Sequence, residues 1–132
     1  GEFGATTGRP RRCGWFDAVA ARHGVALNGC REVVLTKLDV LDGFDKIKIC
    51  LAYQFDGRET DRIPASAAQL QQCTPVYETV SGWAGSIAGA RRFGDLPETA
   101  RTYVARIEEL IGCRISMVSV GRERTAIIMR DE

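Results

Sequence analysis

Histidine is almost missing from this chain: His23 is the single one in 132 residues. Five cysteines are present, but Cys13, Cys30, Cys50, Cys73 and Cys113 stand far apart and none forms a C-x-x-C pair. Without paired cysteines or a second imidazole, no zinc constellation of the usual spacing can be assembled. An odd number of scattered thiols also argues against a disulfide framework and is consistent with reduced cysteines in a cytoplasmic protein. No apolar run approaches the roughly 20 residues that a membrane-spanning helix needs, and the polar, glycine-rich start has no signal-peptide character. Neither charge dominates. Lys plus Arg is 18 against 17 Asp plus Glu, a net charge of +1, so any basic surface must be local. Internal repeats, low-complexity tracts and a G-x-x-x-x-G-K-[ST] phosphate loop are lacking, and no acid–base pair has an evident role.

What remains is an ordinary globular balance, 45% hydrophobic and 27% charged, long enough for one domain with a real core and too short for two. The opening stretch departs from that balance. Gly4-Ala5-Thr6-Thr7-Gly8-Arg9-Pro10-Arg11-Arg12-Cys13-Gly14-Trp15 gathers glycines, adjacent hydroxyls and arginines in a segment patterned as neither helix nor strand. Exposed backbone amides and threonine hydroxyls can line an anion-binding concavity, and arginine forks grip carboxylate or phosphate with paired hydrogen bonds. A disordered basic arm that touches nucleic acid is the plainer reading. Against it, the loop runs straight into the apolar-rich Trp15-Phe16-Asp17-Ala18-Val19-Ala20, which should anchor it.

Along the chain, Asp17 to Arg22 reads as helix with Gly24 as its stop, and Val25–Asn28 as a short segment ending in an Asn-Gly turn. His23 then sits at a helix end, as a surface residue rather than a catalyst. Glu32 to Lys37 is a β-branched run typical of a buried strand, and Leu38 to Phe44 is turn-rich. Lys46 to Tyr53 alternates charged and apolar residues like a half-exposed strand, Asp56-Gly57 signals a hairpin, and a return strand runs from Glu59 to Ile63 before Pro64. A short helix follows with Ser66 at its N-cap, then a strand over Thr74 to Val80 and a glycine-rich stretch over 82–94. Ala100, Tyr103, Val104, Ile107, Leu110 and Ile111 mark the core stripe of a helix over 97–112. Two strands over 115–130 close the chain around Gly121-Arg122-Glu123-Arg124. The alternation favours an α/β fold with a mixed sheet.

Thr36-Lys37-Leu38-Asp39 falls at the end of the predicted buried strand, where open α/β sheets place ligands. A carboxylate there can accept from the adjacent N1–H and N2–H of guanine, a donor pair that adenine lacks, while the lysine stem lies over the base. Read alone, T-K-x-D is also an unremarkable exposed turn, and Ser119-Val120-Gly121 a simple strand-to-turn junction.

Thr6-Thr7-Gly8-Arg9-Pro10-Arg11-Arg12-Cys13-Gly14-Trp15-Phe16-Asp17-Ala18-Val19 closely resembles the signature of the adenylosuccinate synthetase family, GTP-dependent ligases that join IMP to L-aspartate in purine biosynthesis. Thr36-Lys37-Leu38-Asp39-Val40-Leu41-Asp42 resembles the family's guanine-recognition segment. Further likeness runs through Pro75-Val76-Tyr77-Glu78-Thr79, Gly82-Trp83, Asp95-Leu96-Pro97 and Arg106 to Leu110, and these matches read as packing rather than chemistry. The resemblance implies that Ala5, Thr6, Thr7, Gly8, Arg9, Pro10 and Arg11 bind aspartate and IMP, with Arg11 also reaching GTP. It gives Lys37, Leu38, Asp39, Ser119, Val120 and Gly121 to the guanine of GTP. Arg122 stands where the family commonly has proline, and the segment to Thr125 is about one residue shorter.

The resemblance implies that the phosphate loop, general-base aspartate and catalytic histidine lie in the family's N-terminal portion and that the magnesium ligands lie outside this chain. The chain, which starts inside a loop without methionine, thus reads as the C-terminal part of the synthetase, under a third of it. It is expected to belong to a larger, mostly parallel P-loop-like sheet with helices and an intruding β-hairpin. On this reading 1–15 is the aspartate/IMP loop and 32–42 the guanine segment, no catalytic residue lies in the chain, and the parent is a cytoplasmic homodimer. A stand-alone, non-catalytic GTP- or anion-binding module is the alternative. A nucleic-acid-binding role for Arg9, Arg11 and Arg12 fits the near-neutral charge least.

Overall fold

In the computed structural model of the chain, residues 15–130 are described. In chain order they form strand β1 (Phe16–Asp17), helix α1 (Ala18–Asn28), strand β2 (Glu32–Leu35), strands β3 (Lys46–Phe55) and β4 (Arg58–Thr60), helix α2 (Ala67–Gln71), strand β5 (Thr74–Ser81), helix α3 (Glu98–Ile111), and strands β6 (Arg114–Ser119) and β7 (Ile127–Met129). Two 3₁₀ turns, Leu38–Leu41 and Phe93–Asp95, lie between them.

Helix α1 starts where the Asp17 carboxylate accepts from the Ala20 amide at 3.0 Å. It does not stop at Gly24. The helix runs on to Asn28 and ends at Gly29, whose left-handed backbone (φ 63°, ψ 33°) lets its amide bond the Val25 carbonyl. Ala21 and Val25 pack on the core, and an added turn that buries Val25 outweighs the cost of about 1 kcal/mol for glycine inside a helix. His23 is therefore a mid-helix residue, and it is exposed.

Strand β3 is the spine of one sheet. Phe16 and Glu78 both face Ile49, so β1 and β5 take opposite edges of β3, and β4 continues the β1 edge. Asp56 and Gly57, with φ of 55° and 77°, make the two-residue turn from β3 to β4 with both central residues in the left-handed region, as a type I′ turn requires. Pairing in β4 ends at Thr60, short of the expected Ile63. There the Thr60 hydroxyl accepts from the Arg62 amide at 3.2 Å and bends the chain away, and Pro64 has no amide to offer a ladder. The second sheet has β6 at its centre, parallel to β2 and antiparallel to β7.

Mixed α/β is thus the architecture, but the described strands are not mostly parallel. Three of their pairings are antiparallel (β3–β4, β3–β5, β6–β7) and two are parallel (β1–β3, β2–β6). The reason is connection length: a two-residue turn at Asp56-Gly57 and the short link over 120–126 can only join antiparallel neighbours.

Helix α3 ties the sheets together. Ala100, Tyr103, Val104, Ile107 and Ile111 are buried against Ile47 and Ile49 of β3 and against Ile115, Val118 and Ile128 of β6 and β7. Each of the valines and isoleucines among them contributes on the order of 1.5–3 kcal/mol on burial. Polar pins fix the helix in rotation. Arg106 grips Glu78 of β5 with two bonds of 2.6 and 2.8 Å. The Glu108 carboxylate accepts from the Ile115 amide at 2.7 Å and pairs with Arg130. The stretch over 82–94 is held by a close approach instead: a Cβ on Gly82 would lie 1.9 Å from the Phe44 carbonyl oxygen.

Two outcomes are expected. Gly82→Ala must displace backbone, so its urea midpoint should fall by the equivalent of at least about 2 kcal/mol; an unchanged midpoint would contradict the packing described. The paired Arg106 guanidinium holds the Glu78 carboxyl below its ordinary value of 4.5. A depressed folded-state value means stabilisation present above pH 4.5 and lost as pH falls through the lower value. The stability difference between the natural protein and Glu78→Gln should therefore be flat at neutral pH and shrink on acidification below pH 4.5.

Candidate functional site

Parallel pairing of β2 with β6 sets Leu35 beside Val118, so the segments that leave the two strand ends emerge side by side. Lys37 follows β2 in the left-handed region (φ 60°, ψ 41°), and the chain then winds into the 3₁₀ turn over Leu38–Leu41. A non-glycine residue held there costs roughly 1–2 kcal/mol. The strain is held by what surrounds it. The Lys37 amide donates to the Ser119 hydroxyl at 2.7 Å across 82 residues of sequence, and Leu38, 2% exposed, anchors the turn in the core. The strand therefore ends at Leu35, two residues before the expected Lys37.

Two stretches picked out separately in the sequence thus meet at the carboxyl ends of two parallel strands, where such sheets place ligands. Their side chains divide. Leu38 and Val120 are buried in the core, 2% and 0% exposed, so their side chains are closed to a ligand. Lys37 is exposed, and Asp39 and Ser119 are half-buried. Among the described residues the Asp39 carboxylate has no hydrogen-bond or ion-pair partner, so both oxygens can accept from a ligand. The Val120 amide bonds the Ala126 carbonyl at 2.9 Å, and the Ala126 amide bonds the Glu123 carbonyl at 3.0 Å, closing the loop that carries Gly121. A Cβ on Gly121 would lie 3.1 Å from that of Ala126.

Asp42 was not singled out by sequence reasoning, though it is the best-connected residue of the turn. Its carboxylate accepts from the Trp83 indole at 2.7 Å and from the Ile87 amide at 3.2 Å. The signal was available: a tryptophan in a glycine-rich stretch must be anchored by its ring and needs an acceptor for its N–H. Trp83 is 4% exposed and meets Tyr103 of α3 edge-on at 6.1 Å.

The remaining candidates separate as follows. Ala5, Thr6, Thr7, Gly8, Arg9, Pro10 and Arg11 lie outside the described residues. Trp15, where description begins, packs edge-on against Phe44 at 5.3 Å, just beyond the turn. Cys50 is no nucleophile at neutral pH, because burial and then the nearby Asp17 push its thiol up to about 11. Gly82-Trp83, Asp95 and Arg106 to Glu108 serve packing. Asp95 accepts from the Arg91 and Arg92 amides, and the others act as described above. Among the described residues no group of three or more His, Cys, Asp or Glu could hold a metal ion, and no helix is long and apolar enough to cross a membrane.

The profile of the adenylosuccinate synthetase family matches residues 1–128. The chain belongs to that family. The synthetase of Geobacter metallireducens is 56% identical over 128 residues, covering 97% of this chain and 30% of the relative. That of Pelobacter propionicus is 54% identical over 132 residues, covering 99% and 31%. The solved structure of fully ligated adenylosuccinate synthetase from Plasmodium falciparum superposes with a TM-score of 0.86 at 34% identity, over 97% of this chain and 31% of that one. The chain thus spans under a third of the synthetases it matches.

Ser119→Ala removes the acceptor of the Lys37 amide. Exchange of that amide with solvent should accelerate by about fivefold, as expected for a bond worth ~1 kcal/mol. An unchanged rate would mean that something other than the hydroxyl protects it.

Proposed function

We propose that this chain supplies the guanine pocket and the aspartate loop of an adenylosuccinate synthetase, the ligase that converts IMP, L-aspartate and GTP to adenylosuccinate, GDP and phosphate. The observation that carries the reading is the bond from the Lys37 amide to the Ser119 hydroxyl, which brings the two candidate guanine segments together. In this site Asp39 accepts from N1–H and N2–H of guanine with its two oxygens. The aliphatic stem of Lys37 covers the base while its ammonium stays in water. Ser119 and Gly121 close the other side, on a support of the buried Leu38 and Val120. A pocket that pairs a carboxylate with two donors rejects adenine, which would leave the carboxylate unpaired.

Ala5, Thr6, Thr7, Gly8, Arg9, Pro10 and Arg11 bind aspartate and IMP in this reading, with Arg11 also reaching GTP. The contact of Trp15 with Phe44 supports it, since residue 15 enters the described region next to the guanine turn. The chemistry is phosphoryl transfer from GTP to the 6-oxygen of IMP, after which the aspartate amine displaces phosphate. Magnesium, when bound, neutralises charge on the transferring group, and its ligands are expected outside this segment. The residues described here bind and orient; none transfers a proton or a phosphoryl group. Residues 1–132 are one C-terminal unit of a larger, P-loop-like sheet, and the parent acts as a cytoplasmic homodimer.

The test is made in the complete synthetase. Asp39→Asn replaces an acceptor with a donor, and the KM for GTP should rise about 10- to 100-fold while preference over ATP falls. Unaltered preference would remove Asp39 from the site. The purified 132-residue chain should show no turnover with IMP, aspartate and GTP.

A further inference from the structure

We propose that Asp42 is a positioning residue for guanine selection: it holds the turn that carries Asp39 and so fixes the direction of the Asp39 carboxylate. The inference rests on the guanine reading above and adds a residue that touches no ligand.

A single 3₁₀ turn is weak by itself, with poor hydrogen-bond geometry and a short run. The turn over Leu38–Leu41 is defined by its two ends. At the first, the Lys37 amide is tied to Ser119. At the second, the Asp42 amide donates to the carbonyl of Asp39 itself at 3.0 Å. Asp42 is in turn fixed through its side chain, with one oxygen on the Trp83 indole and the other on the Ile87 amide. Both oxygens are thus engaged by protein donors.

What Asp42 grips is rigid. The Trp83 ring is buried against Tyr103, and the Trp83 carbonyl accepts from the Gly43 amide at 3.0 Å. The Gly82 amide bonds the Asp45 carbonyl at 2.9 Å, at a place where even a methyl group would not fit. The Asp42 carboxylate is therefore the side-chain link between the guanine turn and the Trp83 ring that packs on helix α3, beside the backbone bonds of Gly43 and Gly82. Asparagine cannot replace it, because its amide nitrogen would face one of the two N–H donors. Misdirecting the Asp39 carboxylate weakens its bond to the 2-amino group of guanine. Inosine triphosphate lacks that group, so the ratio of GTP to inosine triphosphate reports on this alignment.

The experiment uses the complete synthetase with Asp39→Asn, Asp42→Asn, Trp83→Phe and the double variant Asp42→Asn/Trp83→Phe. For Asp42→Asn, the KM for GTP should rise about tenfold and the preference for GTP over inosine triphosphate should fall by a similar factor. The KM values for IMP and aspartate, and kcat at saturating GTP, should stay within about twofold. Trp83→Phe keeps the ring but loses the N–H, and should shift the preference in the same direction by less. The double variant should lose less than the product of the single effects. If Asp42→Asn lowers stability, or fails to fold, and Trp83→Phe leaves the preference intact, the residue is merely structural and the proposal falls. An altered preference in Asp39→Asn with none in Asp42→Asn and Trp83→Phe overturns this inference alone. An unaltered preference in Asp39→Asn overturns the guanine reading with it.

Discussion

Burial of one face of α3 is the constraint on which the arrangement rests. Ile107 and Val104 are fully buried, and the cluster around them takes residues from β3 in one sheet and from β6 and β7 in the other. Apolar burial is non-directional, so it draws the sheets together without setting how they are turned. Direction comes from the few charged groups at the margins. Arg106 locks the helix to β5, and Glu108 with Arg130 locks it to the ends of β6 and β7. Once β6 is seated, its parallel pairing with β2 decides where both strands end, and the ends define the site.

The stripe on α3 was legible because period-3.6 burial is written directly in residue type, and Gly112 marked its end. The hairpin turn at Asp56-Gly57 was legible for a related reason, since few residue pairs accept two consecutive left-handed conformations. Helix α1 runs past Gly24 to Asn28. Glycine is a stop signal only by propensity, and the packing of Val25 outweighed it. The early end of β2 has the opposite origin. Nothing local in Thr36-Lys37 announces a left-handed lysine, because its partner is a hydroxyl far along the chain.

The site shows the same division. Lys37, Leu38, Asp39 and the Ser119–Gly121 segment stand out as strings, yet the strings do not say that Leu38 and Val120 turn inward. Burial patterns settle that, and they depend on tertiary packing. In sequence a turn aspartate such as Asp42 reads as solvated, because its acceptor role for a buried indole is set by tertiary packing.

The bond from Lys37 to Ser119 also bears on the order of events as the chain is made. Its partners are separated by 82 residues, which at ribosomal speeds amounts to roughly 4 to 16 s of synthesis. Through that interval β2 has no β6 to pair with, and the left-handed backbone at Lys37 has no hydroxyl to hold it. The turn is then free to relax into an ordinary conformation. The junction of the two strand ends is thus closed only after Ser119 has been made.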